Sequence, residues 1–167
     1  MSVSVARLAA AAVTLGLAAT LAAPASAALL AHKDLSLDTA LTIASTAAAT
    51  CKAQGYRVSV HIVGRNGEVL VALRGDNASP HTFENSMRKA YTARTFRVPS
   101  GEIVKRLKDN PQFGGVFLTN VIATEGALPI TVGDDVIGAV GVSGAPGGDK
   151  DAACAKTGID KVADDLK

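Results

Sequence analysis

The chain has 167 residues, with 17 Lys and Arg against 15 Asp and Glu, for a formal net charge of +2. So even a balance excludes a dedicated nucleic-acid binder, which presents a strongly basic face. Two cysteines, Cys51 and Cys154, occur without C-x-x-C spacing, which excludes thioredoxin-like chemistry and a cysteine-based zinc centre.

The first residues read as a leader. Arg7 precedes an apolar run from Leu8 to about Leu21, and Ala25-Ser26-Ala27 supplies the small-x-small pattern of a cleavage site. Residues 1–27 are expected to be a secretory signal peptide, and residues 28–167 a single domain, secreted or periplasmic. The run is shorter than the ~20 residues a membrane span needs, and no later segment is long and apolar enough to serve. There is no twin-arginine pair and no cysteine at the cleavage site for a lipid anchor.

Residues 36–55 have helical spacing, with Ser36 as N-cap, Gly55 just past the end, and one apolar stripe through Leu37, Ala40, Leu41, Ala44, Ala47, Ala48 and Cys51. The period then changes. Val58, Val60 and Ile62 alternate with Ser59 and His61, and Asn66-Gly67 marks a hairpin turn. Ser79 is expected to cap a long helix with Pro80 at its first position, running to about Arg97. Pro99 breaks it, Ser100 is expected to cap a shorter helix, and Asn110-Pro111 ends that one.

From Phe113 the chain is glycine-rich and irregular, with a short strand expected near Val116 to Ile122. ALPITV, a turn at Gly133-Asp134-Asp135, and VIGAVGVS form a second hairpin. A last helix begins near Asp149, with Ala152, Ala155, Ile159, Val162, Ala163 and Leu166 on one face. The hairpins imply an antiparallel sheet packed against helices, an α+β fold.

Export would place the cysteines where disulfides persist. Cys51 lies on its helix's stripe, where a buried free thiol is ordinary. Cys154 falls about 130° from the centre of its own stripe at 100° per residue, a placement that a bridge between the two helices would explain. Both a bridge and free thiols stay open at this point.

The stretch VIGAVGVSGAPGGDKDAAC (136–154) has the strand, glycine loop and helix order of a phosphate-binding loop. It lacks the Gly-Lys-Ser/Thr of a Walker loop, and Gly138, Gly141 and Gly144 are each three apart, which is not G-x-G-x-x-G. Its strand belongs to a hairpin rather than a βαβ unit. Glycines inside a strand instead point to something packed closely on that face.

PITVGDDVIGAVGVSGAPGGDKDAACAKTGID (129–160), GEVLVALRGDNA (67–78) and RKAYTA (88–93) together resemble the GlcG/HbpS-like haem-binding family. The resemblance covers nearly all of residues 28–167. It implies a profilin-like α+β sandwich, assembly into a homo-oligomer, and a glycine loop that turns the last strand into the last helix. Two positions depart from the family pattern: Gly64 stands where an Asp is usual, and Gly126-Ala127 where a Gly-Gly pair is usual.

Candidate chemistry concentrates in one segment. Five of the six aromatics lie in residues 83–117, and residues 81–108 carry a local charge of +5. Haem needs apolar walls, cations for its propionates and an axial ligand. The residues expected to supply them are His81, Phe83, Arg88, Lys89 and Tyr91, with His81 as the metal ligand and Tyr91, Met87 and His61 behind it. His32, just past the leader, is expected to be inert, and His61 to be a satisfied or half-exposed strand histidine. No G-x-S-x-G occurs and no catalytic residue is assigned.

The resemblance therefore implies an exported binding protein for haem or a related tetrapyrrole, serving storage, sensing or protection. The alternatives are an enzyme that degrades haem slowly or turns over a small organic acid, and an oligomeric accessory module for a membrane sensor.

Overall fold

The computed structural model describes residues 29–167; the expected leader, residues 1–27, lies outside the described residues. The element order is α1 (Leu37–Ala53), β1 (Ser59–Val63), β2 (Val69–Arg74), α2 (Pro80–Phe96), α3 (Ser100–Asp109), a 3-10 turn (Gly114–Phe117), β3 (Ala127–Val132), β4 (Asp135–Ser143) and α4 (Gly148–Lys161). The strands form one antiparallel sheet in the order β2-β1-β4-β3. This is the expected α+β architecture. Among the described residues no helix is long and apolar enough to cross a membrane.

Two hairpins lie side by side, so β1 and β4 are central. The register pairs Ser59 with Ser143 and Val63 with Ala139. α1 and α4 pack on one face and α2 on the other. Every residue of β1 is buried, although its sequence alternates apolar and polar. Val58, Val60 and Ile62 enter the main core with Ile43, Ala44, Ala47 and Ala155.

The polar positions of β1 face α2 instead of water. Ser59 Oγ lies 2.9 Å from Thr82 Oγ1, His61 Nδ1 lies 2.8 Å from Ser86 Oγ, and Val63 packs in a small cluster with Ala90. Two residues of strand rise about 6.6 Å and four residues of helix about 6 Å. That match lets positions 59, 61 and 63 meet positions 82, 86 and 90 in turn. The hydroxyl of Ser86 donates to Phe83 O at 3.0 Å. With its one proton assigned to that carbonyl, it accepts from His61, an assignment that places the imidazole proton on Nδ1. The expectation of a satisfied strand histidine holds.

β4 carries the closest helix–sheet approach. A Cβ at Gly141 would meet Ser86 O, and at 2.7 Å the backbone N of Ala90. α2 therefore crosses the sheet on bare backbone, as glycines inside the strand suggested.

Ser36 caps α1 as expected, its Oγ accepting from Thr39 N at 3.1 Å. Three local expectations change. Ser79 occupies the N-cap of α2, but its side chain makes no capping bond. Ser100 is the first helical residue of α3 rather than its cap, and its buried Oγ accepts from Ala127 N at 3.0 Å, tying α3 to β3. Residues 116–122 form no strand; a 3-10 turn at 114–117 leads into irregular chain that is fastened to α2.

Cys51 and Cys154 are bridged, with a Cα–Cα separation of 5.7 Å. The reason differs from the sequence argument. α4 buries Asp151, Cys154, Ala155 and Gly158, with Val162 buried at its C-cap, so Cys154 is on the buried stripe. Asp151 and Gly158 belong to that stripe and carry no hydropathic signal, which displaced its apparent centre.

Candidate functional site

A cleft of about 520 Å³ opens between the N-terminal half of α2, residues 123–125 and the glycine loop 144–148. His81, Asn85 and Lys89 line it from α2, Thr124 and Glu125 from the opposite wall, and Ser143 and Asp151 from beneath the loop. A second hollow of about 320 Å³ lies alongside, lined by His81, Glu84, Asn85, Arg88 and Ile122. His81 and Asn85 line both. Each volume lies in the range of small-molecule sites.

The inner wall is built around a buried ion pair. Lys89 Nζ lies 2.9 Å from Asp151 Oδ2 and donates to Val142 O at 3.1 Å. Both side chains are almost fully buried, 5% and 4% exposed. Asp151 Oδ1 also accepts from Ala145 N at 3.0 Å, which fixes the first turn of the glycine loop. Burial pushes the Asp151 carboxyl above the ordinary carboxylate value, against the pull of Lys89 and the loop amides.

The outer wall hangs from α2. Arg88 Nη2 donates to Val121 O at 2.8 Å, and Thr92 Oγ1 accepts from Ile122 N at 2.9 Å. Asn85 Nδ2 donates to Ser143 Oγ at 2.9 Å, bridging helix and sheet. Among the described residues, Asn85 Oδ1 and Thr124 Oγ1 are buried atoms without a hydrogen-bond partner, and both residues line the cleft. Buried polar atoms are normally satisfied, so these two call for a water or a ligand.

The expected site residues separate into four places. His81 is exposed at the shared lip of the two hollows, with half-buried Arg88 two turns along the same flank. Lys89 lies at the floor of the cleft, its ammonium already held by Asp151. Phe83 is about 160° round the helix from His81, 40% exposed, with its ring edge-on to His61 at 4.5 Å. Tyr91 stands over the first hairpin, near Gly67. Only His81, Arg88 and Lys89 line the paired hollows. The residues that sequence reasoning missed are Asn85, Thr124, Ser143 and Asp151. Asn85 was findable, lying one helical turn after His81; Asp151 gave no signal apart from its helix.

The donor set can be tested against haem. An exposed imidazole and a guanidinium stand at the His81 edge, the latter donating to Val121 O and 3.5 Å from the Glu84 carboxylate, and apolar Ile122 and Val104 line the two hollows. Those groups are of the kinds that hold an iron, a propionate and a macrocycle. They fit.

Both departures from the family pattern are accommodated locally. A Cβ at Gly64 would meet Glu68 Oε1, with Glu68 Cδ at 2.7 Å. The Glu68 carboxylate thus occupies the space beside Gly64, and it accepts from Asn66 N at 2.8 Å. Ala127 is 1% exposed and joins Val63, Ala90, Ala93 and Ala139 in a small-residue cluster.

The fold and cleft define an α+β sandwich with an open polar cleft walled by a glycine-rich turn. Residues 35–160 match the family described as "Haem degrading protein HbpS-like". The chain belongs to the HbpS-like family. It is similar to a double mutant of HbpS from Streptomyces reticuli, at 35% identity and a TM-score of 0.76 over 84% of this chain and 97% of that one. A 15.0 kDa protein from the dhaT-dhaS intergenic region of Citrobacter freundii is 34% identical over 102 residues, 59% of this chain and 71% of that protein. A heme complex of PduOC shares the fold, with a TM-score of 0.70 at 22% identity over 77% of this chain and 95% of that one.

Proposed function

We propose that this chain is an exported protein that binds haem or a related tetrapyrrole at the lip of the α2 cleft, for storage, sensing or protection against free haem. Membership of the HbpS-like family supports the ligand class, and the meeting of two hollows at His81 is the observation that carries the place. His81 ligates the iron in this reading, and Arg88 meets a propionate. Haem supplies a redox-active iron and a strong absorption band, and the protein's residues hold and orient it. Lys89 acts indirectly, by keeping the glycine loop in position through Asp151.

Haemin titrated into the chain from Ala28 onward should give a saturable Soret band. Absorbance rising linearly with added haemin, with no saturation, would overturn the reading. Export is tested separately: in a secreting host, intact mass should correspond to a chain beginning near Ala28, and material retaining residues 1–27 would contradict it.

A second reading follows from the family description, which names haem degradation. A reductant added to the haem complex in air would then bleach the Soret band with release of iron and a linear tetrapyrrole, the reductant supplying electrons and dioxygen the oxidant that opens the ring. A band stable to reductant keeps the binding role alone. Assembly into a homo-oligomer and service to a membrane sensor belong to the same proposal and follow from the family resemblance only.

A further inference from the structure

A groove of about 560 Å³, sharing no residue with the His81 cleft, runs between the last turns of α1, the chain at 55–58 and the end of β2. Its walls are mostly carbon: Ala48 and Ala49 from α1, Val58, Leu73, and the half-buried ring of Tyr56. Its rim is charged and uneven. Lys52, Arg57 and Arg74 stand there against a single carboxylate, Asp76.

These cations are only partly engaged. Lys52 approaches Asp76 at 3.7 Å with both side chains exposed, a contact worth little in water. Arg74 donates Nε and Nη2 to Ala78 O at 3.2 and 2.6 Å, and keeps its other N–H groups. Arg57 is exposed and makes no ion pair among the described residues. Apolar walls with a few convergent polar groups are the usual composition of a small-molecule site. A guanidinium fork suits a carboxylate in particular.

We infer that this groove binds a small amphipathic carboxylate, its apolar body on Ala48, Val58, Leu73 and Tyr56 and its carboxylate at Arg57 and Lys52. The site is separate from the one assigned to haem, and it makes the chain a carrier for two ligands of different class. The excess of positive charge around a carbon floor selects an anion over a neutral lipid or a cationic peptide.

The test uses 11-(dansylamino)undecanoic acid as probe with the chain from Ala28 onward. The groove predicts saturable, blue-shifted fluorescence at one probe per chain. Arg57→Glu should weaken it about tenfold, by removing one attraction and adding a repulsion. Ala49→Trp, on an exposed wall position, should abolish it by filling the groove while leaving the melting temperature and the haemin titration unchanged. Three results would each overturn the inference: no saturable probe binding, equal affinity in both variants, or stoichiometric displacement of the probe by haemin. A second copy of the chain covering the groove would exclude the probe and register as the first of these. Haemin binding is read independently, so either ligand can fail without the other.

Discussion

Lys89 Nζ lies 2.9 Å from Asp151 Oδ2, and the pair joins the centre of α2 to the first turn of α4 beneath the glycine loop. Two charges this deeply buried are costly to separate, because either alone is left without water or counter-ion. Lys89→Ala should therefore destabilise the fold by about 3–5 kcal/mol, measured as a lowered urea midpoint. The double variant Lys89→Met with Asp151→Leu should recover most of that loss, since the desolvation cost disappears from both sides. A Lys89→Ala protein of unchanged stability would show that the pair contributes nothing.

The Cys51–Cys154 bridge closes a separation of 103 residues between α1 and α4. Constraint of so long a loop in the unfolded chain is worth up to about 4–5 kcal/mol in the chain-entropy view. Non-reducing peptide mapping of oxidised protein should yield one linked pair. Reduction should lower the denaturation midpoint accordingly, and two free thiols in folded, oxidised protein would contradict the bridge.

His61 gives stability a pH dependence. Burial lowers its pKa from 6.5 to about 4. Between those values the unfolded chain takes up a proton that the folded chain refuses, so stability is full above pH 6.5 and falls as pH drops toward 4. The loss is on the order of 3 kcal/mol. His61→Gln removes the titrating group and should flatten that slope. Equal slopes in the two proteins would assign the acid sensitivity elsewhere.

Gly141 is the point at which α2 rests on the sheet. Gly141→Ala should cost at least about 1–3 kcal/mol, because the added methyl meets helix backbone that cannot rotate aside. Thermal unfolding checks this, and an unchanged midpoint would mean that α2 can shift without loss.

Most of the architecture was legible because local signals and tertiary packing agree. Ser36, Asn66-Gly67, Pro80 and Gly133 each sit where their turn or cap chemistry placed them. What failed did so where a polar residue is buried. The alternation in β1 does not say what covers its polar face: Ser59 and His61 find hydroxyl partners on α2 four residues apart, and no one-dimensional pattern carries that pairing. Asp151 and Gly158 hid the true stripe of α4 in the same way. The local charge of residues 81–108 pointed to α2 and α3 together, yet Phe83, Tyr91 and the His81–Arg88 flank face three directions. Composition reports what a helix carries; only its orientation on the sheet decides which residues share a cleft.

Haem at the His81 lip can be read from paired haemin spectra of wild type, His81→Ala and Arg88→Ala. Wild type should bind haemin saturably. His81→Ala should shift the Soret and visible bands, since the iron loses its imidazole. Arg88→Ala should leave the bands in place and weaken binding by about 0.5–1 kcal/mol, the worth of one partly wet charge contact. A His81→Ala protein with wild-type spectrum and affinity would contradict the account and move the ligand to Tyr91, Met87 or His61.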